Sequence, residues 1–458
     1  MKFKIDRAFY ARVFAVAAPI IVQQFITNFV SMLDNVMVGQ VGTIPMSGVS
    51  IVNQLMFVFN LCVFGAMSGA GIFTAQFHGA KDAAGERDTF RFKVLIGIFL
   101  TVMGSVVFLL GGKTLIGLYL KGDGDAAAAA LTMEYGWEYL LVMLVGLPPF
   151  ALSFAYAGTL RETGEGRVPM IAGIAAVLVN LVGNYILIFG YFGAPQMGVL
   201  GAAVATVISR YVELAIVTLW THRNADRCAF IRGDYRTLAI PGALMKRIIM
   251  KGMPLLVNEA LWSIGIAFMN QCYSTRGLDV VAAFNISTTI SQLSGVVFMS
   301  IGNAVGILMG QMLGADLPEA QIRRDNARMI RLSVLSCLGF AAALLALSGV
   351  FPKIYNTDES VRTIARGLII VTALTMPIHA YTNAMYFTLR SGGQTFVTFL
   401  FDSGFSWAVS VPIAWALSRY TAMPIIPLYT VVSFADIIKV FIGGWMLKKG
   451  IWIRRIVA

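Results

Sequence analysis

Apolar residues run through this chain in long stretches that are separated by short polar breaks. Each stretch is about as long as the roughly 20 residues that a helix needs to cross a bilayer. The stretches cover residues 12–38, 46–76, 92–119, 132–158, 168–190, 198–221, 247–273, 280–312, 327–352, 362–388, 396–418 and 424–447. No barrel-like alternation is visible, and lipid requires the backbone to satisfy its own polar groups. The pattern therefore predicts an all-α integral membrane protein with twelve transmembrane helices.

Three segments of the first half recur, in order, in the second half of the chain, at offsets of 235, 235 and 229 residues. The pairs begin at Pro19 and Pro254, at Gly71 and Gly306, and at Thr159 and Thr388. A duplicated six-helix unit keeps its orientation in the membrane, so the repeats predict two six-helix bundles related by a pseudo-two-fold axis along the membrane normal.

The longest polar break near the middle of the chain divides the two repeats. It predicts an N-terminal six-helix lobe over residues 1–222, a cytoplasmic linker over residues 223–246 and a C-terminal six-helix lobe over residues 247–458.

Composition agrees with a chain that is largely dissolved in lipid. Hydrophobic residues make up 58% and charged residues only 13%, whereas a soluble domain carries about 25% charged residues. The net charge of +12 comes from Lys and Arg at both ends of the chain and in every second break. Cytoplasmic loops collect these residues, so we expect a multi-pass protein of the cell membrane with both termini cytoplasmic, and no nucleic-acid partner.

The sequence lacks the usual signatures of membrane-bound enzymes and ATP-driven pumps. Its four cysteines form no CxxC or Cys/His cluster, which argues against a disulfide framework or a structural metal. Walker A, G-x-S-x-G and H-E-x-x-H motifs are also absent. We therefore expect no enzyme activity and no cofactor.

Ionisable residues inside spans are the main candidates for function, because each costs about 2.5–3.5 kcal/mol on insertion scales. Asp34, towards the outer half of the first span, has no basic residue within two turns, so it can hold a proton or release it to hold sodium. Asn180 and Asn184 are four residues apart and share one helix face. Their amide oxygens suit a hard cation. Alternatively, Asp34 faces water near the helix end and the asparagines join helices by hydrogen bonds.

A second set of candidates lines a possible cavity for substrate or cation. Asn258 and Glu259 follow Pro254, which tends to kink the seventh helix, and Gln24 is the repeat counterpart of Glu259. Asp402 is a further intramembrane carboxylate. Each of these residues can equally be a structural contact between helices.

Other intramembrane charges fit a structural interpretation better. Arg210/Glu213 and Asp436/Lys439 are pairs three residues apart, which can neutralise each other on one helix. His379 is more typical of a hydrogen-bonded packing residue than of a proton carrier.

Taken in order, several motifs make the chain resemble the multidrug and toxic compound extrusion (MATE) family over nearly its whole length. They are LDNVMVGQVG in the first helix, QFHGA and its echo QMLGA, TLRETGEGRVP, RSGGQT and DSGFSW. The resemblance implies a V-shaped pair of six-helix bundles that works by alternating access, and a coupling-ion site at Asp34, Asn180 and Asn184. One branch has a carboxylate after the seventh-helix proline, which Glu259 matches. Its acidic residue in the tenth helix has no counterpart here.

The resemblance implies a secondary antiporter that exports organic cations or other amphipathic compounds in exchange for protons or sodium ions. Its partners would be these small molecules and membrane lipids, and we expect it to work as a monomer. The alternatives are a lipid-linked oligosaccharide flippase of the same superfamily, which would favour a basic cavity, and a membrane-embedded enzyme. Most intramembrane charges of this chain are acidic.

Overall fold

The computed structural model describes residues 6–120, 126–233, 237, 239–355 and 357–457, without the side chains of Asn35, Val36 and Ser294. The first basic residues of the chain and part of the predicted linker lie outside these ranges.

Within the described residues the chain forms fifteen α-helices and no strand. The helices are α1 (Arg7–Gly39), α2 (Thr43–Gly79), α3 (Ala83–Tyr119), α4 (Ala126–Val145), α5 (Leu147–Glu162), α6 (Arg167–Phe189), α7 (Val199–Arg223), α8 (Gly242–Ser274), α9 (Leu278–Gly314), α10 (Glu319–Leu347), α11 (Glu359–Ser391), α12 (Thr395–Phe399), α13 (Val411–Tyr420), α14 (Ile425–Phe434) and α15 (Ile437–Lys449). Two π-helical turns, Leu400–Gly404 and Ser406–Ser410, join α12 to α13.

Among the described residues, eleven helical segments are long and apolar enough to cross a bilayer, and a bent pair makes up to twelve. Helices α12 and α13 form one of these segments, and α14 and α15 form another. The predicted all-α membrane fold is confirmed.

The fourth predicted span, over residues 132–158, is the bent pair: α4 and α5 meet at an angle of 46° at Gly146. Pro148 and Pro149 follow the bend, and proline has no N–H to continue the helical ladder. Side chains of α7 bind the carbonyl groups at the bend. Tyr211 Oη donates to Val145 O at 3.3 Å, and Arg210 Nη1 donates to Gly146 O at 3.3 Å.

Contacts divide the chain into two compact units. Unit 1 comprises the chain up to Ile21, Ala75–Lys81 and the chain from Met250 onwards, and unit 2 comprises Val22–Thr74 and Asp82–Ile249. Each unit has its own apolar core, with Leu140 and Leu147 fully buried in unit 2 and Leu368 and Leu428 fully buried in unit 1. The boundaries of the predicted lobes and linker stay a prediction.

Candidate functional site

In unit 2 the structure brings together the three residues that were predicted to bind the coupling ion. Asp34 is on α1, and Asn180 and Asn184 are on successive turns of α6 and buried. Asn184 Nδ2 donates to Asp34 Oδ1 at 2.8 Å. The predicted shared face of the two asparagines therefore meets the carboxylate of another helix.

The amide of Asn180 can turn either its nitrogen or its oxygen towards Asp34, because an amide carries hydrogen-bond donors on one side and an acceptor on the other. With the nitrogen towards the carboxylate, it donates to Oδ1 at 3.1 Å and to Oδ2 at 2.8 Å, and its oxygen accepts from Thr206 Oγ1 at 3.1 Å. With the oxygen towards Asp34, the nitrogen donates to Thr206 Oγ1 at 3.1 Å. That second orientation requires a proton or a cation between two acceptor oxygens.

Two further features make the site suitable for a small cation. Asn184 is 1% exposed, and its Oδ1 is buried without a hydrogen-bond partner among the described residues. The site combines the carboxylate of Asp34 with the amide groups of Asn180 and Asn184, and carboxylate and amide oxygens are ligands that hard cations such as sodium prefer. Tyr139, which is 4% exposed, interacts electrostatically with Asp34.

In unit 1, α8 carries Asn258, which is 1% exposed. Its Nδ2 donates to Asp402 Oδ2 at 3.0 Å, and its Oδ1 accepts from the backbone N–H of Ser403 at 3.2 Å. Asp402 and Ser403 lie in the first π-helical turn. Such turns widen the helix and are frequent at functional sites.

Glu259 lies at the edge of the same cluster, where Tyr386 Oη of α11 donates to its carboxylate at 3.5 Å. Three of the four predicted cavity residues, Asn258, Glu259 and Asp402, are thus neighbours. Gln24 is not with them: it belongs to unit 2 and its side chain is exposed. Its neighbour Gln23 is bound instead, accepting from Arg161 Nη2 at 3.0 Å.

The two predicted charge pairs take part in wider networks. Lys439 lies 3.3 Å from Asp436 as expected, but also 3.9 Å from Asp402, and His379 lies 3.5 Å from Asp436. Glu213 interacts with Arg161 as well as with Arg210. The positions of Thr206 and Tyr386 carried no charge or repeat signal that sequence patterns could have detected.

The buried cysteine outside the spans has no features of a nucleophile. Cys228 follows α7 and is packed among Phe90, Phe230 and Ile231. Burial raises the pKa of its thiol to about 11. Reactive cysteines have a lowered pKa instead, so Cys228 stays protonated and packs as an apolar side chain.

Together, the apolar helices and the carboxylate site within unit 2 define a polytopic helical membrane protein of the kind that moves solutes across a bilayer. The sequence model of the MatE family matches residues 19–186 and again residues 254–416. These matches cover most of the chain, so the protein belongs to the MatE family of multidrug efflux transporters. The two matches begin 235 residues apart, which is the offset of the first two repeats.

Relatives with an assigned name span most of the chain. The probable multidrug resistance protein YoeA of Bacillus subtilis is 26% identical, over 84% of this chain and 81% of its own length. The probable multidrug resistance protein NorM of Thermotoga maritima is 25% identical, over 88% of this chain and 84% of its own length. The multidrug resistance protein PmpM of Pseudomonas aeruginosa is 26% identical, over 90% of this chain and 84% of its own length.

Solved structures confirm the fold. The crystal structure of a MATE protein in the straight conformation matches with a TM-score of 0.85 at 17% identity, over 96% of this chain and 95% of that one. The outward-facing structure of a multidrug resistance MATE transporter of the MOP superfamily matches with a TM-score of 0.84, also at 17% identity, over 96% and 94%.

Proposed function

We propose that the protein is a secondary antiporter that exports organic cations or other amphipathic compounds. It exchanges them for protons or sodium ions that bind at Asp34, and it works by alternating access. The observation that carries this proposal is the contact of the Asp34 carboxylate with the Asn184 amide, at 2.8 Å, and with the Asn180 amide. An Asn180 amide with its nitrogen towards Asp34 stabilises an ionised Asp34, and one with its oxygen towards Asp34 would stabilise Asp34 with a bound proton or cation.

Thr206 supports both states, because a hydroxyl group can either donate or accept a hydrogen bond. When Asp34 is ionised, Thr206 donates to the oxygen of Asn180. When Asp34 carries a proton or meets a sodium ion, the amide reverses, its nitrogen donates to Thr206, and Thr206 donates to Ala202 O at 2.9 Å. Ion binding thus changes the hydrogen bonds that join α1, α6 and α7.

Alternating access needs the ion and the substrate to favour different conformations, because a ligand shifts an equilibrium only by its differential affinity. Asp34 is on α1, whereas Asn180 and Thr206 are on α6 and α7. A change in charge at Asp34 therefore alters how α1 packs against the other two helices. In the proposed cycle, ion binding favours the outward-facing state and releases the substrate.

The multidrug resistance names of the relatives support this function over the flippase alternative. The same names support a transporter over the alternative of a membrane-embedded enzyme. Sodium and proton suit the oxygen ligands of the site equally, so the experiment must distinguish these two ions.

The test is efflux of ethidium from proteoliposomes that contain the purified protein, driven by a proton gradient or by a sodium gradient. One gradient should drive efflux and thereby identify the ion, and Asp34→Asn should reduce efflux to that of empty liposomes. The control is Asp226→Asn, which changes a fully exposed carboxylate of the linker and should leave efflux unchanged. Gradient-driven efflux that persists in Asp34→Asn would contradict the role of Asp34.

A further inference from the structure

Unit 1 holds charged residues at the most costly depth of a span. Asp436 and Lys439 lie near the middle of the segment Ile425–Lys449. Helix α14 ends at Phe434 and α15 begins at Ile437, so Asp436 lies in the break between them. A charge at the centre of a spanning helix costs about 2.5–3.5 kcal/mol. Neighbours must offset this cost.

The ammonium group of Lys439 is surrounded as a bound organic cation would be. Its Nζ lies 3.3 Å from Asp436 Oδ1 and 3.9 Å from Asp402 Oδ1. It also lies 5.0 Å from the centre of the Phe405 ring. Carboxylates together with an aromatic face are the groups with which proteins bind ammonium ligands. Lys439 is only 6% exposed.

The other polar groups around the cluster are two neutral donors, an imidazole, a further carboxylate and a guanidinium. Asn258 binds Asp402, and the Ser406 hydroxyl donates to Asp402 O at 3.0 Å. From α8, Glu259 faces the cluster. From α11, His379 meets Asp436, and Arg390 acts on Glu259.

Lys439 thus provides the positive charge between Asp402 and Asp436. Because the ammonium group of Lys439 is covalently attached to α15, its effective concentration at the two carboxylates is set by the length of the side chain. It does not depend on the concentration of cations in solution. A soluble sodium ion would have to displace this ammonium and leave it buried without its carboxylates.

We propose that Lys439 is the resident cation of a carboxylate site formed by Asp402 and Asp436, and that it excludes sodium and other soluble monovalent cations from unit 1. Within the antiport function proposed above, the coupling ion would then bind in unit 2 alone, one per transport cycle. The exclusion itself does not depend on that function, because it concerns binding and not transport.

The experiment measures binding of radioactive sodium to the purified full-length protein in detergent. The Asp34→Asn background removes the predicted site of unit 2. We expect no saturable binding in Asp34→Asn alone. Adding Lys439→Met should create a saturable sodium site, and adding Asp402→Asn as a third change should abolish it. Lys439→Arg is the matched control, because it keeps the charge and should bind no sodium.

Two results would overturn the proposal: absence of sodium binding in the folded Lys439→Met protein, or sodium binding that depends on Asp402 while Lys439 is intact. If Lys439→Met does not fold, the double change Asp436→Asn with Lys439→Met removes one charge of each sign and leaves Asp402 free. In the Asp34→Asn background this variant should bind sodium, and failure to do so would count equally against the proposal. Both experiments measure sodium binding and not transport, so a failure of the ethidium efflux test of the proposed function would leave their outcome unchanged.

Discussion

The amide of Asn180 and the hydroxyl of Thr206 can each present a donor or an acceptor to the same neighbour. This property suits the role proposed for Asp34, in which the site accommodates its carboxylate both with and without a bound ion. If only fixed hydrogen-bond donors surrounded this carboxylate, they would stabilise its ionised state at the expense of the state with a bound proton. The pair therefore explains why amide and hydroxyl groups, and not further charges, accompany Asp34.

Replacing Thr206 by Val removes the hydroxyl partner of Asn180 but keeps the shape of the side chain. The loss of one partly buried hydrogen bond, about 1 kcal/mol, should slow ion-driven export by about fivefold. Thr206→Ser retains the hydroxyl and should export at nearly the normal rate. The initial rate of ethidium efflux from proteoliposomes measures both. Equal rates for Thr206→Val and the unaltered protein would show that this hydroxyl does not take part.

At the scale of elements, the repeated segments at the ends of α2 and α9 cross at very short range within unit 1. A Cβ atom built on Gly314 would clash with the backbone oxygen of Gln76, and one built on Gly79 would clash with that of Gln311. The crossing is thus reciprocal between the two repeat segments, QFHGA and QMLGA. Only glycine permits backbones to approach this closely.

Gly314→Ala should therefore destabilise the protein, because the new methyl group forces α2 and α9 apart. Overpacking of this kind costs about 1–3 kcal/mol, and the apparent melting temperature in detergent should fall. Gly339→Ala is the control, because a Cβ at Gly339 on α10 would meet nothing within 4 Å. A melting temperature equally unaffected by both changes would mean that the crossing can relax at no cost.

The irregular turns of the helices show where element prediction from hydrophobic patterns reaches its limit. The pattern over residues 132–158 predicts one span, but the chain bends by 46° at Gly146. The π-helical turn that carries Asp402 is likewise invisible in an apolar sequence. Both irregularities depend on partners elsewhere in the fold, such as Arg210 and Tyr211 at the bend and Asn258 at the π-helical turn.

At the scale of the whole molecule, the distribution of basic residues makes a prediction about orientation. The breaks 39–45 and 191–197 contain no Lys or Arg, whereas both ends of the chain are rich in them. The positive-inside rule places such ends in the cytoplasm.

Fusions to reporter proteins test this orientation in cells. Green fluorescent protein attached to the C-terminus should be fluorescent, because it folds in the cytoplasm, and alkaline phosphatase at the same position should be inactive. Alkaline phosphatase fused after Gly193 should be active, since this break is predicted to face outwards. The opposite pattern of phosphatase activity would reverse the proposed topology.

The sequence by itself determined the class of fold, the positions of the spans, the repeat and the family. These properties are local or periodic: a span is recognised by the length of an apolar run, and Asn180 and Asn184 share a face because they are one helical turn apart. Asp34 could be recognised from the sequence as a candidate functional residue, because an isolated charge inside an apolar run is costly wherever it lies in the fold.

Only the tertiary structure decided which polar residues meet. Asn258 and Asp402 are 144 residues apart, and no local pattern relates them. The same holds for Asp34 and Asn184, which are 150 residues apart, and for Lys439, whose pairing with Asp436 was predictable but whose approach to Asp402 was not. Contacts between distant segments depend on how the helices pack, and packing is a property of the whole chain.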